Sequence, residues 1–535
     1  MFARVKTVKR GGKSLRYLQI VENIWDKKRK KATQRVVLSM GNIDTLDRAK
    51  VDKLIATLSG FTEKVMVLKA SEDMLLRWAK PYGDVYVLES LWKGLGLEAI
   101  LSRIDSEKRN EFPFERAIFC MVYDRLSDPG SKLSLSEKLR EEYLIEGSES
   151  LELHHLYRAL DVLYENKEEI EEKLFHKRRD LFSSQPELVF FDTTSSYFEG
   201  SGEGSCLKRY GHSRDKRPER KQMVIGVLIT REGIPIAIRV FPGNTADPKT
   251  VKPALDDLSR RFGIKRAVFV CDRGMVSEAN LRLMAEAGYD YITGLRMASH
   301  PARKALSRQG RYHRIERKGK PELWVKEAVV DGERYIICYN PDEAERERAE
   351  RGEIIRKLEQ EIETNPKALI RNRGYRRFLR ARKGLLEIDQ AKVSEAERYD
   401  GKYVIKVSDP RLTTESAALA YRELWRIERA FRTLKSSLDI RPVYHWTDRR
   451  IEAHVFICFL ALVIAREIEL RLNRDVEEDG ERISAERAMR VLSRIRAIRV
   501  EIENNSFIAR TEIGKEAHMI FKALGIQEPQ RIFRV

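Results

Sequence analysis

A chain of 535 residues is too long for one hydrophobic core, so roughly two to four domains are expected. Its 42% hydrophobic and 8% aromatic content is enough for folded domains and excludes a mostly disordered chain. Lys and Arg outnumber Asp and Glu by 102 to 83, a net charge of +19, which favours a polyanionic partner: nucleic acid first, an anionic membrane surface as the rival.

Five cysteines (Cys120, Cys206, Cys271, Cys338, Cys458) are scattered without a CxxC pair. That argues against a disulfide framework or a zinc site and fits a reducing cytoplasm. Met1 to Lys6 has no apolar signal core, and the longest apolar run, Val455 to Ala465, is too short to cross a bilayer. The run reads as a buried helix.

In chain order, residues 1–60 form a β-rich module. Tyr17 to Trp25 alternates in part, Lys27-Lys28-Arg29-Lys30-Lys31 makes a basic tip, and Arg35 to Leu38 is a second strand. The tip suits phosphate contact and equally suits a solvated hairpin loop. Residues 61–184 are mostly helical, with three-and-four apolar spacing over Leu88–Leu101, Phe114–Leu126, Leu151–Tyr164 and Glu168–Phe182. The turn Asp128-Pro129-Gly130-Ser131 divides this DNA-binding or accessory region.

The pattern changes over 185–300. Strands are predicted at Leu188–Phe198, Met223–Thr230, Pro235–Phe241, Arg266–Cys271 and Tyr289–Leu295, with helices at Pro248–Phe262 and Ser277–Gly288. A hairpin at Arg231-Glu232-Gly233 followed by β-α-β units indicates an α/β fold, a mixed sheet covered by helices. Residues 301–395 interrupt that sheet as an insertion subdomain. It holds a hairpin-like stretch from Arg311 to Cys338, a charged helix from Pro341 to about Ile362, and the arginine-aromatic run Ile370 to Arg380. That run suits backbone binding with base stacking, and equally an amphipathic solvated helix. Residues 396–470 return to the core with a strand at Gly401–Val407 and helices at Leu412–Leu438 and Ile451–Leu470. The charged region 471–535 is predicted helical, with self-association as one role.

Three acids interrupt or border apolar patterns. Asp192 lies within Leu188-Val189-Phe190-Phe191-Asp192-Thr193-Thr194, and Asp272 closes Ala267-Val268-Phe269-Val270-Cys271. Ligand sites in α/β sheets favour such carboxyl ends of strands. On the predicted long helix, Ala417, Leu424, Ile427, Phe431, Leu434 and Leu438 form the apolar stripe, and Glu428 falls on its edge. Tyr421 and Lys435 flank Glu428 seven residues away on either side, about 10 Å in a continuous helix, so the three are expected on one ridge. An isolated buried carboxylate is costly and needs a cation or strong hydrogen bonds. Converging, these acids could hold two Mg²⁺ or Mn²⁺ ions roughly 3.5–4 Å apart for in-line displacement at phosphorus. Taken singly, each also has a structural reading: a hydrogen-bonded Asp192, a capping Asp272, a surface Glu428.

At these residues the chain resembles the DDE transposases of bacterial insertion sequences, specifically the IS-four superfamily. The likeness runs through Phe190 to Phe198, through Gly211-His212-Ser213-Arg214-Asp215-Lys216-Arg217-Pro218 with Gln222, and through Phe241-Pro242-Gly243-Asn244-Thr245 with Val270-Cys271-Asp272-Arg273-Gly274. Tyr421, Glu428 and Lys435 resemble that superfamily's YREK signature, in which the arginine position is Leu424 here. The resemblance implies an RNase H-like catalytic core over 185–300 and 396–470, with Asp192, Asp272 and Glu428 as metal ligands. It further implies DNA contacts from Tyr421, Lys435, His212 and Arg214, and double-stranded DNA partners: terminal inverted repeats and target DNA. A homodimeric complex and cut-and-paste excision, with a DNA hairpin as one route, are also implied by it. Two alternatives stay open: an RNase H-like nuclease or resolvase that cuts without joining, and a DNA-binding protein without catalysis. A serine or tyrosine recombinase is disfavoured, since no set of arginines and histidine surrounds Ser195, Ser196 or Tyr197.

Overall fold

The computed structural model describes residues 2–10, 13–26, 31–59, 74–182, 188–199, 204–275, 277–316, 321–364, 376–382, 385–476, 480–502 and 505–533. Chain contacts divide it into two compact units, one of Met1–Trp78 with Arg499–Ile508, the other of Ala79–Ile498 with Ala509–Phe533. In the first, β1 (Phe2–Arg10), β2 (Lys13–Asp26) and β3 (Lys31–Asn42) form an antiparallel sheet, followed by a helix at Arg48–Ser59. Val21 is buried, while Val5, Trp25, Val36, Val37 and Leu38 stay exposed. The basic tip at Lys27–Lys30 lies outside the described residues.

β4 (Met74–Pro81) is a strand where helix was expected. A bundle comes next in the chain: Gly83–Gly94, Leu97–Lys108, Phe114–Ser127, Lys132–Glu141 and Leu153–Phe182. Phe114–Ser127 is buried along nearly its whole length, with Trp92 packed edge-on against Phe119. Ser131 caps the next helix by accepting from Ser134 N–H, so the Asp128-Pro129-Gly130 turn ends one helix and starts another. The two helices expected between Leu151 and Phe182 are a single one of 30 residues, because neither Gly nor Pro falls between them.

The central sheet has nine strands. Five come from the expected core: β5 (Leu188–Tyr197), β6 (Gln222–Thr230), β7 (Pro235–Pro242), β8 (Val268–Cys271) and β9 (Asp290–Gly294). They lie in the order β7-β6-β5-β8-β9, antiparallel among β5, β6 and β7, and parallel from β5 through β8 to β9. This is the strand arrangement of an RNase H-like fold. β5 is buried on both faces: Phe190 packs under the helix Asp448–Leu472 side, Val189 and Phe191 under Pro248–Asp256 and Glu278–Glu286.

The expectation that 301–395 interrupts this sheet is corrected in part. β10 (His313–Ile315), β11 (Leu323–Val330) and β12 (Glu333–Tyr339) extend it beyond β9 through a later strand at Lys402–Val407, completing the order β10-β11-β12-(Lys402–Val407)-β9. Ile336↔Ile405 and Ile337↔Val404 pair with both faces buried, so burial holds these strands in the main core. What projects is the helix Pro341–Thr364, with the hairpin of β13 (Leu379–Arg382) and β14 (Leu385–Ile388), around a small core of Leu358, Phe378 and Leu379. Residues 370–375 of the arginine-aromatic run lie outside the described residues, and Phe378 is buried in that core rather than free to stack on a base.

With β15 for Lys402–Val407, the C-terminal region contains β16 (Arg496–Ile502), β17 (Asn505–Arg510) and β18 (Ile532–Phe533) beside helices Ala485–Leu492 and Lys515–Leu524, correcting the all-helical expectation. All five cysteines are unpaired, and among the described residues no helix is long and apolar enough to cross a membrane.

Candidate active site

The register between β5 and β8 builds the site. The strands run parallel with Phe191 opposite Cys271, so the next residue on each, Asp192 and Asp272, stand side by side at the carboxyl end of β8. The helix Trp425–Arg432 packs against β5 and carries Glu428. Asp192, Asp272 and Glu428 all line one cleft of about 880 Å³, together with Tyr421, Arg422 and Leu424. Glu343, Glu347 and Glu350 of the helix Pro341–Thr364 line the same cleft.

The three acids differ in setting. Asp192 keeps 20% of its side-chain surface, and burial pushes its carboxyl up to about 7, opposed by Arg214 and the Thr193 N–H and reinforced by the charges of Asp272 and Asp247. Asp272 and Glu428 are exposed, which removes the burial cost expected for them. The Glu428 carboxylate forms no hydrogen bond or ion pair among the described residues. Among those residues no three His, Cys, Asp or Glu side chains already stand close enough to hold an ion together.

The single ridge of Tyr421, Glu428 and Lys435 is not found, because the expected long helix is broken twice. It runs as Thr414–Arg422 and Trp425–Arg432, tightening to an i→i+3 bond where Leu424 N–H reaches Tyr421 O. It then loosens to an i→i+5 turn over Thr433–Ser437, where Leu438 N–H reaches Thr433 O. Tyr421 is left under β9, its hydroxyl donating to Asp272 Oδ1 at 3.4 Å and its ring 5.8 Å from that of Tyr403. Burial and the Asp272 charge push its phenol well up, so it stays protonated at neutral pH. Lys435 turns away to pair with Asp215 Oδ1 at 2.9 Å and does not line the cleft. Leu424 lines it, and so does Arg422, whose Nη1 is buried without a partner among the described residues.

Arg214 faces the first acid. Its Nη2 donates to Thr193 Oγ1 at 2.9 Å and pairs with Asp247 Oδ2 at 3.0 Å, with Nη1 3.9 Å from Asp192 Oδ1. His212 is exposed, and its backbone carbonyl accepts from Gln222 Nε2 at 3.0 Å. Asp247 was not singled out from the sequence. It comes after the turn Gly243-Asn244-Thr245 and precedes a helix starting at Pro248, which gives it the look of a cap. It makes no capping hydrogen bond; its carboxylate accepts from Thr193 Oγ1 at 2.9 Å and holds Arg214 instead.

The family model described as "Transposase DDE domain" matches residues 183–464, more than half of the chain. The chain belongs to the DDE transposase family. Residues 3–72 match the model described as "IS1634 family transposase, N-terminal domain", so this is an insertion-sequence transposase acting on DNA. Membership in this family implies use of divalent metal. A search of curated proteins gave no match. Two solved structures are distantly similar. A piggyBac transposase synaptic complex with hairpin DNA is 10% identical over 78% of this chain and 82% of that one, with TM-score 0.39. A Mos1 transposase paired-end complex with the left transposon end is 15% identical over 46% of this chain and 67% of that one, with TM-score 0.15. Likeness at that level carries no weight; the family assignment rests on the sequence match.

Proposed function

We propose that this transposase binds the terminal inverted repeats of its element, cleaves there and joins the freed end to target DNA, with Asp192, Asp272 and Glu428 as the metal-ligating acids. The observation carrying this reading is the Phe191↔Cys271 register, with Glu428 on the same cleft. The donor set fits: carboxylate oxygens are what Mg²⁺ and Mn²⁺ prefer, and the carboxylates of Asp192, Asp272 and Glu428 line one cleft. Two divalent ions bound there would supply an activated oxygen nucleophile and a counter-charge for the leaving oxygen.

The chain's own groups have separate tasks in this reading. The Tyr421 hydroxyl orients the Asp272 carboxylate. Arg214, tied to Asp247 and Thr193, keeps a guanidinium against Asp192. Arg422, with its unpaired Nη1, takes a phosphate of the cut strand where the signature would use an arginine at Leu424. Lys435 and His212 contact the backbone further out, Lys435 on leaving Asp215. The reading includes two copies of the chain on paired ends, in the cytoplasm, which the five unpaired cysteines suit.

The test incubates the full chain with duplex carrying the element's ends and Mg²⁺ or Mn²⁺. Metal-dependent cleavage followed by joined products is expected, with Asp192→Asn, Asp272→Asn and Glu428→Gln each lowering cleavage by at least about 10³-fold. Cleavage without joining would instead support the nuclease, and an Asp192→Asn variant cutting at full rate would remove the assignment.

A further inference from the structure

On the other side of the helix that carries Glu428 lies a second cavity, of about 1100 Å³. It is walled by the end of the helix Leu153–Phe182, the β6–β7 connection, Arg426 and Arg429, the last turns of Asp448–Leu472, and Lys522 to Gly525. Nine cationic side chains line it against three glutamates, Glu232, Glu467 and Glu469. Two of those glutamates are shared: Glu467 between Arg178 and Arg471, both at 2.7 Å, and Glu469 between Arg429 and Arg466, both at 3.0 Å. Glu423 adds pairs with Arg231 at 3.2 Å and Arg426 at 3.7 Å, and among the described residues the acids still leave more than half of these cations uncancelled.

The innermost cation makes this more than a basic surface. Arg178 keeps only 6% of its side-chain surface and meets Glu467 through Nη2; its Nε and Nη1 are buried and have no acceptor among the described residues. Burial lowers its pKa, as expected for a guanidinium short of counter-charge. Arg426, whose Nη2 lies 3.7 Å from Glu423 Oε1, has a buried Nε without a partner among the described residues in the same cavity. A buried donor without an acceptor is costly, and an arginine fork presents its N–H groups in the geometry that phosphate oxygens accept.

We infer that this cavity is a phosphate-binding site, separate from the cleft of the three acids, that takes the phosphodiester backbone of DNA or a free phosphorylated compound. Its position favours DNA. The helix Trp425–Arg432 presents Glu428 to one cavity and Arg426 and Arg429 to the other, so a duplex cut at the first has backbone within reach of the second. The volume also admits a nucleotide-sized ligand.

Two measurements on the full chain, both in EDTA, test this apart from metal-dependent cleavage, which can fail without affecting them. The first is binding of a labelled duplex by fluorescence anisotropy across a salt series; the second is the thermal shift with inorganic pyrophosphate. Arg426 and Arg482 both line the cavity, and wild type is compared with Arg426→Gln/Arg482→Gln and with the charge-keeping Arg426→Lys/Arg482→Lys. If backbone occupies the site, the glutamine pair lowers the log–log salt slope by about two and weakens binding at least about tenfold, while the lysine pair restores both. If a free phosphorylated compound occupies it, the salt slope is unchanged, and pyrophosphate raises the wild-type Tm but not that of the glutamine pair. An unchanged slope together with no pyrophosphate shift in wild type overturns the inference. So does equal loss in the lysine and glutamine pairs, which would reflect disrupted structure rather than phosphate contact.

Discussion

Gly294→Ala tests whether Tyr421 is held against Asp272 for function. A Cβ built at Gly294 would stand 2.1 Å from the Tyr421 hydroxyl oxygen and 2.9 Å from Cζ. An ordinary contact needs about 3.4 Å, so the hydroxyl must retreat by roughly 1.3 Å. The ring cannot tilt freely, because Tyr403 packs beside it. The bond to Asp272 is already 3.4 Å long, so any retreat away from Asp272 breaks it. Overpacking of this kind costs about 1–3 kcal/mol, and a shift of about 1 Å at a reacting centre lowers rate by about 10²-fold. The assay is single-turnover cleavage of end DNA beside a thermal melt. We expect both to fall in Gly294→Ala. In Gly294→Ala/Tyr421→Phe the melt should recover in part and the cleavage should not, since the closest clash is relieved and the ring kept while the hydroxyl stays absent. A Gly294→Ala protein that melts and cleaves like wild type would refute the reasoning, and so would cleavage restored by the double substitution.

Three further outcomes are expected from the same geometry. Asp247→Asn should lower cleavage by about 10- to 100-fold and raise the Mn²⁺ concentration needed for half-maximal rate, because Arg214 and Thr193 lose the carboxylate that sets them against Asp192; values within twofold of wild type would remove Asp247 from the site. Lys435→Ala should lower the salt slope of DNA binding by about one, with Asp215 still held by Arg441 at 3.6 Å; an unchanged slope counts against a backbone contact. Asp84, fully buried and accepting from Tyr123 Oη at 2.8 Å, has its carboxyl pushed up to about 6 by burial. A folded pKa above the unfolded one favours folding below the unfolded value and loses that favour as pH rises through about 6, so between pH 5 and 8 wild type should lose about 1.4 kcal/mol that Asp84→Asn keeps; parallel stability curves for the two would exclude it.

The centre of the fold was legible because it is local. β5 and β8 are short runs buried on both faces, and an acid inside or just after such a run stands out. Their parallel pairing then sets Asp192 beside Asp272. The outer sheet was not legible for the opposite reason. β11 and β12 form a hairpin that reads as self-sufficient, and their link to the core is β15, which begins 63 residues beyond Tyr339 at Lys402. No periodic pattern reports a pairing across that distance. β16 was missed because Arg496-Ala497-Ile498-Arg499-Val500-Glu501-Ile502 places apolar residues at spacings that suit either a strand or a short helix.

The two errors around the third acid share one cause. Assuming an unbroken 3.6-residue period from Leu412 to Leu438 put Tyr421, Glu428 and Lys435 on one line and made Leu424 a gap in it. The chain instead tightens at Leu424 and loosens after Arg432, and each change re-aims the side chains on the next turn. Tyr421 is delivered to Asp272, Lys435 to Asp215, and Arg422 into the cleft beside Leu424. The same breaks let one two-turn helix serve two cavities, with Glu428 on one face and Arg426 and Arg429 on the other. A straight helix would have kept the ridge intact, so the departure at Leu424 belongs with the irregular backbone around it; in the proposed reading, the cation that a regular helix would present at that position comes from Arg422, two residues earlier.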